Sequence, residues 1–311
     1  MNIVVIGPGA LGSLFGARLA LGDRHVTLLD HDGARAGALA NQLTLHRNHR
    51  QEQVELAITA DPACLQQADL VLLTVKAQQV GDLLAVVRSR TRPPCLIIGL
   101  QNGISHLPFF AESAAGLALG VTSQGATLLA PGHVRHGGDG PTSLGFLQPA
   151  TTGQNASLAR AAALLTAAGL PAQVVDDIEN RLWQKLLVNA GINGLTVLHD
   201  CANGRLLEIA EARSRLRALV AEGVVLARRK GIDVGADPVA RTLEVCRATA
   251  ANISSMLQDV RNGRPTEIMA INGALVAAAE ELAMPAPENA LLITEVLAAE
   301  KAARHICHES W

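Results

Sequence analysis

Tyrosine is absent from all 311 residues, and aromatic residues amount to 2%, with four Phe and two Trp. Stacked rings for single-stranded nucleic acid therefore lack material. Reductases that protonate their product through a tyrosine are excluded. Cysteine is scarce: Cys64, Cys95, Cys201, Cys246 and Cys307 are odd in number and widely spaced. That pattern fits neither a disulfide framework nor a zinc knuckle. Charged residues make up only 17%, with a formal net charge of -2, and no basic block offers a nucleic-acid footprint. No uncharged apolar run reaches the roughly 18 residues of a membrane span. The opening MNIVVIGPG has no basic region and too short a core for a signal peptide. These absences lead us to expect a soluble cytoplasmic protein with no nucleic-acid or membrane partner.

What is present is a chain long enough for two ordinary domains, with 49% hydrophobic residues. In the first half, NIVVIG, HVTLLD, LVLLTVK and CLIIGLQNG are short β-rich runs separated by helical or loop-like stretches. The alternation predicts βα units and a mostly parallel sheet. Between residues 118 and 147, Gly-rich turns and short alternating strands predict an antiparallel extension of that sheet. From about residue 175 the strand signals fade. DDIENRLWQKLLVNAGING, EIAEARSRLRALVAEGVVLARRKGI, VARTLEVCRATAANISSMLQDVRNG and EIMAINGALVAAAEELAM all carry helical periodicity. We therefore expect an α/β domain over residues 1–174 and an all-α domain over residues 175–311.

GPGALG, residues 7–12, matches G-x-G-x-x-G between a predicted strand and a predicted helix. Gly7 permits the tight turn, Gly9 a close backbone approach to a pyrophosphate, and Gly12 close helix–strand packing. The N–H groups of Ala10, Leu11 and Gly12 open the helix toward the phosphates. HVTLLD ends at Asp30, near the ~20-residue spacing at which an acid holds the adenosine ribose hydroxyls. A carboxylate there favours NAD(H), whereas His31 and Arg35 just after it offset repulsion of a 2′-phosphate. Asp30 also suits a plain turn at a strand end, so the cofactor preference stays open. Lys76 in LLTVKAQQV and Asn102 in LIIGLQNG stand at strand carboxyl ends, where ligands of open α/β sheets bind.

In KLLVNAGINGLT, Lys185, Asn189 and Asn193 recur every four residues and form one polar ridge of a helix. The stretch from Leu186 to Leu198 has no charge, so the ridge reads as a pocket wall rather than an ordinary solvated face. Asn252 and Ser255, three apart, are expected on one helix face. Pro265 is expected at a first helical position, which places Glu267 in a first turn, where the helix dipole favours a carboxylate.

The set GPGALG, TVKAQQV, LQNG, RLWQKLLVNAGINGLT and NISSMLQDVRNGRPTEIMAING resembles the ketopantoate reductase (2-dehydropantoate 2-reductase) family over nearly the whole chain. The resemblance implies a Rossmann-type N-terminal domain, an all-α C-terminal domain and a cleft between them. It also implies reduction of 2-dehydropantoate to (R)-pantoate on the way to pantothenate and coenzyme A, usually with NADP(H). By the same resemblance Lys185 is the catalytic lysine, and Glu267 contacts substrate and helps position that lysine. Asn189, Asn193, Asn252 and Ser255 then fall at substrate contacts, and Lys76 and Asn102 near the nicotinamide. One departure stands out: an arginine often follows the second strand in the family to hold the 2′-phosphate, and here Asp30 and His31 occupy that place.

A zinc alcohol dehydrogenase set is missing, no metal is expected, and His133 and His136 in GHVRHGG read as structural. The alternatives are a related 2-keto acid reductase, a β-hydroxyacid or opine-type dehydrogenase, or a non-catalytic dinucleotide sensor. GALVAAAEELAM suits either core or a homodimer surface.

Overall fold

The computed structural model describes residues 1–22, 24–111 and 116–309, with side chains through residue 304. Cys307 lies outside the described side chains; Cys64, Cys95, Cys201 and Cys246 are free thiols. The chain forms two compact units, one of residues 1–101 and 106–178, the other of residues 102–105 and 179–311.

In the first unit, β1 (Asn2–Ile6), α1 (Ala10–Leu21), β2 (His25–Leu29) and α2 (Gly33–Ala38) open the chain. β3 (Gln42–Arg47), β4 (Arg50–Glu55), β5 (Ala57–Thr59) and β6 (Leu70–Leu73) follow, then α3 (Val80–Arg90), β7 (Leu96–Gly99) and α4 (Leu107–Ala111). The unit ends with β8 (Leu117–Thr122), β9 (Gly125–Ala130), β10 (His133–Gly138), β11 (Thr142–Gly145), α5 (Thr152–Ala167) and β12 (Ala172–Val174). Among the described residues an eight-stranded sheet runs β12-β11-β8-β7-β6-β1-β2-β5. From β5 to β8 every pairing is parallel. The order β5-β2-β1-β6-β7-β8 is that of a doubly wound dinucleotide fold, which reverses direction between β1 and β6. These central strands are apolar along their length because both faces are covered: β6 and β7 are buried throughout.

The expected antiparallel extension is realised in part. β11 pairs antiparallel with β8, but β8 itself is parallel to β7. The β9–β10 hairpin joins a second sheet, β4-β3-β10-β9. Its apolar residues Leu43, Leu45, Val54 and Val134 share one core with Leu14 and Phe15 of α1. Short alternating strands mark a hydrophobic face without saying which sheet it joins, so the sequence leaves this partition open. Tertiary pins decide it: Thr142 Oγ1 donates to Thr122 Oγ1 at 2.8 Å, and the His136 ring meets Gln124 Oε1 at 2.7 Å.

The second unit consists of α6 (Ile178–Leu198), α7 (Ala210–Arg229), α8 (Pro238–Ala248), α9 (Ser255–Arg261), α10 (Ile268–Glu281) and α11 (Pro287–Glu309). Residue Ile178 alone of α6 belongs to the first unit. Trp183, Leu186, Leu187, Leu216, Ile271, Leu275 and Leu292 are among its buried core. Missing side chains let the helices approach. A Cβ on Gly191 would press on Val220 and Thr242, one on Gly194 on Leu292, and one on Gly223 on Leu187 and Leu275.

Candidate active site

The first unit builds a dinucleotide turn. Gly7 follows β1 with φ +103°, in the region that disfavours side chains. A Cβ on Gly12 would overlap the Gly7 carbonyl oxygen and Thr74 Oγ1. Thr74, at the end of β6, donates to the carbonyls of Ile6 and Gly7 at 2.8 and 3.0 Å, which latches the turn at the point where the strand order reverses. Gly9 is the N-cap of α1, and a Cβ there would meet nothing within 4 Å. That open space beside the unpaired N–H groups of Ala10, Leu11 and Gly12 fits a pyrophosphate.

Asp30 is buried at the end of β2 and is already engaged. Arg35 Nε donates to its Oδ2 at 2.6 Å, a second guanidinium nitrogen pairs with Oδ1, and the Asp32 N–H donates to Oδ1 at 3.1 Å. His31 Nδ1 lies 3.4 Å from the same oxygen. Burial pushes the Asp30 carboxyl up, but the Arg35 hydrogen bond, the Asp32 amide and the charges of Arg35 and His31 outweigh it, so the group sits below its ordinary 3.8. These bonds tie the end of β2 to the entry of α2. Lys76 is half-buried just beyond β6. Gln101, absent from the sequence expectations, donates to the carbonyls of Leu73 and Val75 at 2.8 and 3.2 Å and fixes the strand ends around Lys76.

The second unit gathers the proposed chemical groups. Lys185 Nζ, on α6, donates to Asn102 Oδ1 at 2.9 Å, and Asn102 Nδ2 donates to Glu267 Oε2 at 2.9 Å. One amide thus joins an ammonium and a carboxylate that come from distant parts of the chain. Gly103 makes this placement feasible: its φ is +78°, and any Cβ would overlap the Ala270 carbonyl oxygen of α10. Burial pulls the Lys185 amine down from 10.5 to about 8, against the upward pull of Glu267. That change corresponds to roughly 3 kcal/mol in favour of the neutral amine. A lysine so placed holds a proton near neutral pH and gives it up readily.

Asn189 and Asn193 continue the Lys185 face along α6, Asn189 half-buried and Asn193 buried. Thr196 Oγ1 donates to the Asn193 carbonyl at 2.7 Å and shares a 2.6 Å hydrogen bond with Ser254 Oγ. Two local expectations need correction. Asn252 and Ser255 do not share a helix face. α8 ends at Ala248, Asn252 lies in the connection, and Ser254 caps α9 by accepting the Leu257 N–H. The cap, a signal the sequence does carry in Ser-Ser, interrupts the apparent periodicity. Both Asn252 and Ser255 are exposed. Pro265 is likewise not a first helical residue: α10 begins at Ile268, and Glu267 stands at its N-cap without capping it, its carboxylate turned to Asn102. Among the described residues no cluster of His, Cys, Asp and Glu could hold a metal, and no helix is long and apolar enough to cross a membrane.

A doubly wound sheet with this glycine turn, paired with helices that bury a lysine beside a carboxylate, defines an oxidoreductase that binds a nicotinamide dinucleotide. Family models described as ketopantoate reductase PanE/ApbA and its C-terminal region match residues 3–149 and 177–300. A 2-dehydropantoate 2-reductase of Halobacterium salinarum is 34% identical over 285 residues, covering 90% of this chain and 93% of that one. The crystal structure of a PanE/ApbA family ketopantoate reductase from Ralstonia eutropha superposes with a TM-score of 0.88 at 28% identity, covering 98% and 100% of the two chains. D-mandelate dehydrogenase, solved with NADH and anilino(oxo)acetate, superposes with a TM-score of 0.87 at 26% identity, over 97% and 99%. The chain belongs to the ketopantoate reductase family.

Proposed function

We propose that this protein reduces 2-dehydropantoate to (R)-pantoate, a step toward pantothenate and coenzyme A, in the cytoplasm, with Lys185 as proton donor. The division of labour follows the sequence: residues 1–174 hold the dinucleotide and residues 175–311 hold the substrate and the acid. The observation that carries the reading is the Lys185–Asn102–Glu267 chain, with its amine brought to about 8.

The reduced nicotinamide, when bound, supplies a hydride to the keto carbon. Gly7, Gly9, Ala10, Leu11 and Gly12 hold its pyrophosphate, and Lys76 and Asn102 serve its nicotinamide side. The Lys185 ammonium stabilises the developing alkoxide and transfers its proton to that oxygen. Glu267, through Asn102, keeps the amine charged against the cost of burial and accepts a hydrogen bond from the substrate's hydroxyl. Asn189 and Asn193, with Asn252 and Ser255, orient the substrate and bind its carboxylate without a second full charge.

NADP(H) is the cofactor by resemblance. The Asp30–Arg35 pair bears on this choice, since Arg35 covers the carboxylate that would otherwise take ribose hydroxyls. A second reading, another 2-keto acid with NADH, has the D-mandelate dehydrogenase likeness in its favour. Steady-state kinetics with 2-dehydropantoate and a panel of 2-keto acids, each with NADPH and NADH, tests both. The proposal requires the highest kcat/KM on 2-dehydropantoate; a tenfold preference for another keto acid overturns it.

A further inference from the structure

The stretch Ile-Asn-Gly at 271–273 carries part of the family likeness but has no part in the chemistry above. Its Asn272 is completely buried in α10, between apolar neighbours. Asn272 Nδ2 donates to the Ala190 carbonyl of α6 at 3.2 Å and to Asn289 Oδ1 of α11 at 2.9 Å. Asn289 Nδ2 in turn donates to the Leu219 carbonyl at 3.2 Å and to Glu222 Oε2 at 2.7 Å, both on α7. The Glu222 carboxylate also accepts the backbone N–H groups of Glu288 and Asn289, at 2.9 and 3.1 Å, in the first turn of α11. One polar chain therefore pins four helices.

This arrangement is costly if stability is its only purpose. Asn272 and Asn289 are fully buried amides, and Asn272 Oδ1 has no partner. A buried unsatisfied acceptor costs about 1–3 kcal/mol, and an apolar side chain of similar size would avoid it. The surrounding contacts are apolar: Leu187 of α6 and Leu275 of α10 both crowd the site of Gly223. Such contacts are non-directional and set the register less sharply than a directed hydrogen bond between two helices. Ala190 lies on α6 between Lys185 and Asn193, and Asn272 lies five residues after Glu267, at the head of α10.

Resting on the roles given above to Lys185 and Glu267, we propose that Asn272 is a positioning residue. Through Ala190 it fixes the register of α6 against α10 and so holds the Lys185–Asn102–Glu267 chain closed. Without it the two helices slide, the amide bridge opens, and the half-buried ammonium gains water. Because burial is the larger influence on Lys185, the amine then titrates closer to its ordinary value.

The test uses Asn272→Leu, which fills the space without a donor, and Asn272→Ser as a milder variant should the first not fold. The titration of Lys185 is read directly in the full chain by the pH dependence of its acylation, with peptide mapping, alongside kcat and both KM values. In each folded variant we expect the Lys185 titration to rise by about half a pH unit or more. We also expect kcat to fall about tenfold, with the dinucleotide KM changed less than about twofold. A Lys185 titration unchanged from wild type overturns the proposal, whatever happens to the melting temperature. Acylation needs no turnover, so this result stands apart from the substrate question: failure of the wild type to reduce 2-dehydropantoate sinks the functional reading and leaves the register test intact.

Discussion

Replacing Glu267 by glutamine should move the alkaline limit of the reduction toward lower pH. The Glu267 carboxylate and the Lys185 ammonium are separated by one side-chain amide, with 2.9 Å on either side. The charges are then on the order of 7 Å apart, and an effective dielectric near 20 gives about 2 kcal/mol of attraction. Glutamine keeps an oxygen that can accept from Asn102 Nδ2 but removes the charge. The Lys185 amine, at about 8 in the wild type, should then fall by roughly one to one and a half pH units. Reduction needs the protonated amine, so kcat declines as pH rises through that value. Oxidation of the hydroxy acid needs the neutral amine and rises through the same pH. Both limbs therefore shift to lower pH together in Glu267→Gln. The measurement is kcat for 2-dehydropantoate between pH 5.5 and 10, roughly, at saturating dinucleotide, followed by nicotinamide absorbance, in both directions. Limbs that stay at the wild-type pH in Glu267→Gln would refute the electrostatic argument. Lys185→Ala is the companion variant. It should lose the limb altogether and about two to four orders of magnitude in kcat while keeping dinucleotide affinity, and near-normal turnover would sink the proton-donor role.

Two further expectations concern the first unit. Gly12→Ala forces a Cβ into the Gly7 carbonyl oxygen and Thr74 Oγ1, so it should cost about 1–3 kcal/mol in thermal or denaturant unfolding and weaken dinucleotide binding at least about tenfold; wild-type values of both would show that the turn is not closed as described. His106 is completely buried with neither ring nitrogen paired, and burial pulls it from 6.5 down to about 4. The unfolded chain therefore binds the proton first: stability is complete above pH 6.5 and declines as pH falls toward 4. The wild type should lose about 2 kcal/mol between neutral pH and pH 5, and His106→Leu should lose that much less, as read by urea unfolding at the two pH values; equal losses would refute it.

Much of the framework was legible because its signals are local. β1, β2, β6 and β7 coincide with the four apolar runs, and the glycine turn lies where strand meets helix. The β3–β4 hairpin was hidden by its turn, where Asn48 and His49 both take positive φ without the usual glycine. The β9–β10 hairpin was visible as strands but not as part of a second sheet, since alternation identifies a face and not its partner. On the helical side, periodicity ran through residues 249–254 as if unbroken, whereas α8 ends at Ala248 and the Ser254 cap, bonded to Thr196, starts α9. Asn252 and Ser255 were displaced from a common face for that reason.

The sequence by itself determined the Rossmann turn, the helical second half and the polar face of Lys185, Asn189 and Asn193, because each depends on backbone periodicity or on a glycine no other residue can replace. Only the tertiary structure decided what that face meets. Asn102 stands 83 residues from Lys185 and 165 from Glu267, a pairing no spacing rule reaches. Asp30 is similar: the sequence places Arg35 five residues on but does not orient it toward the carboxylate. Buried charges and amides have their character set by the partners that folding brings to them, and those partners lie far away in the chain or on a face that local pattern does not orient.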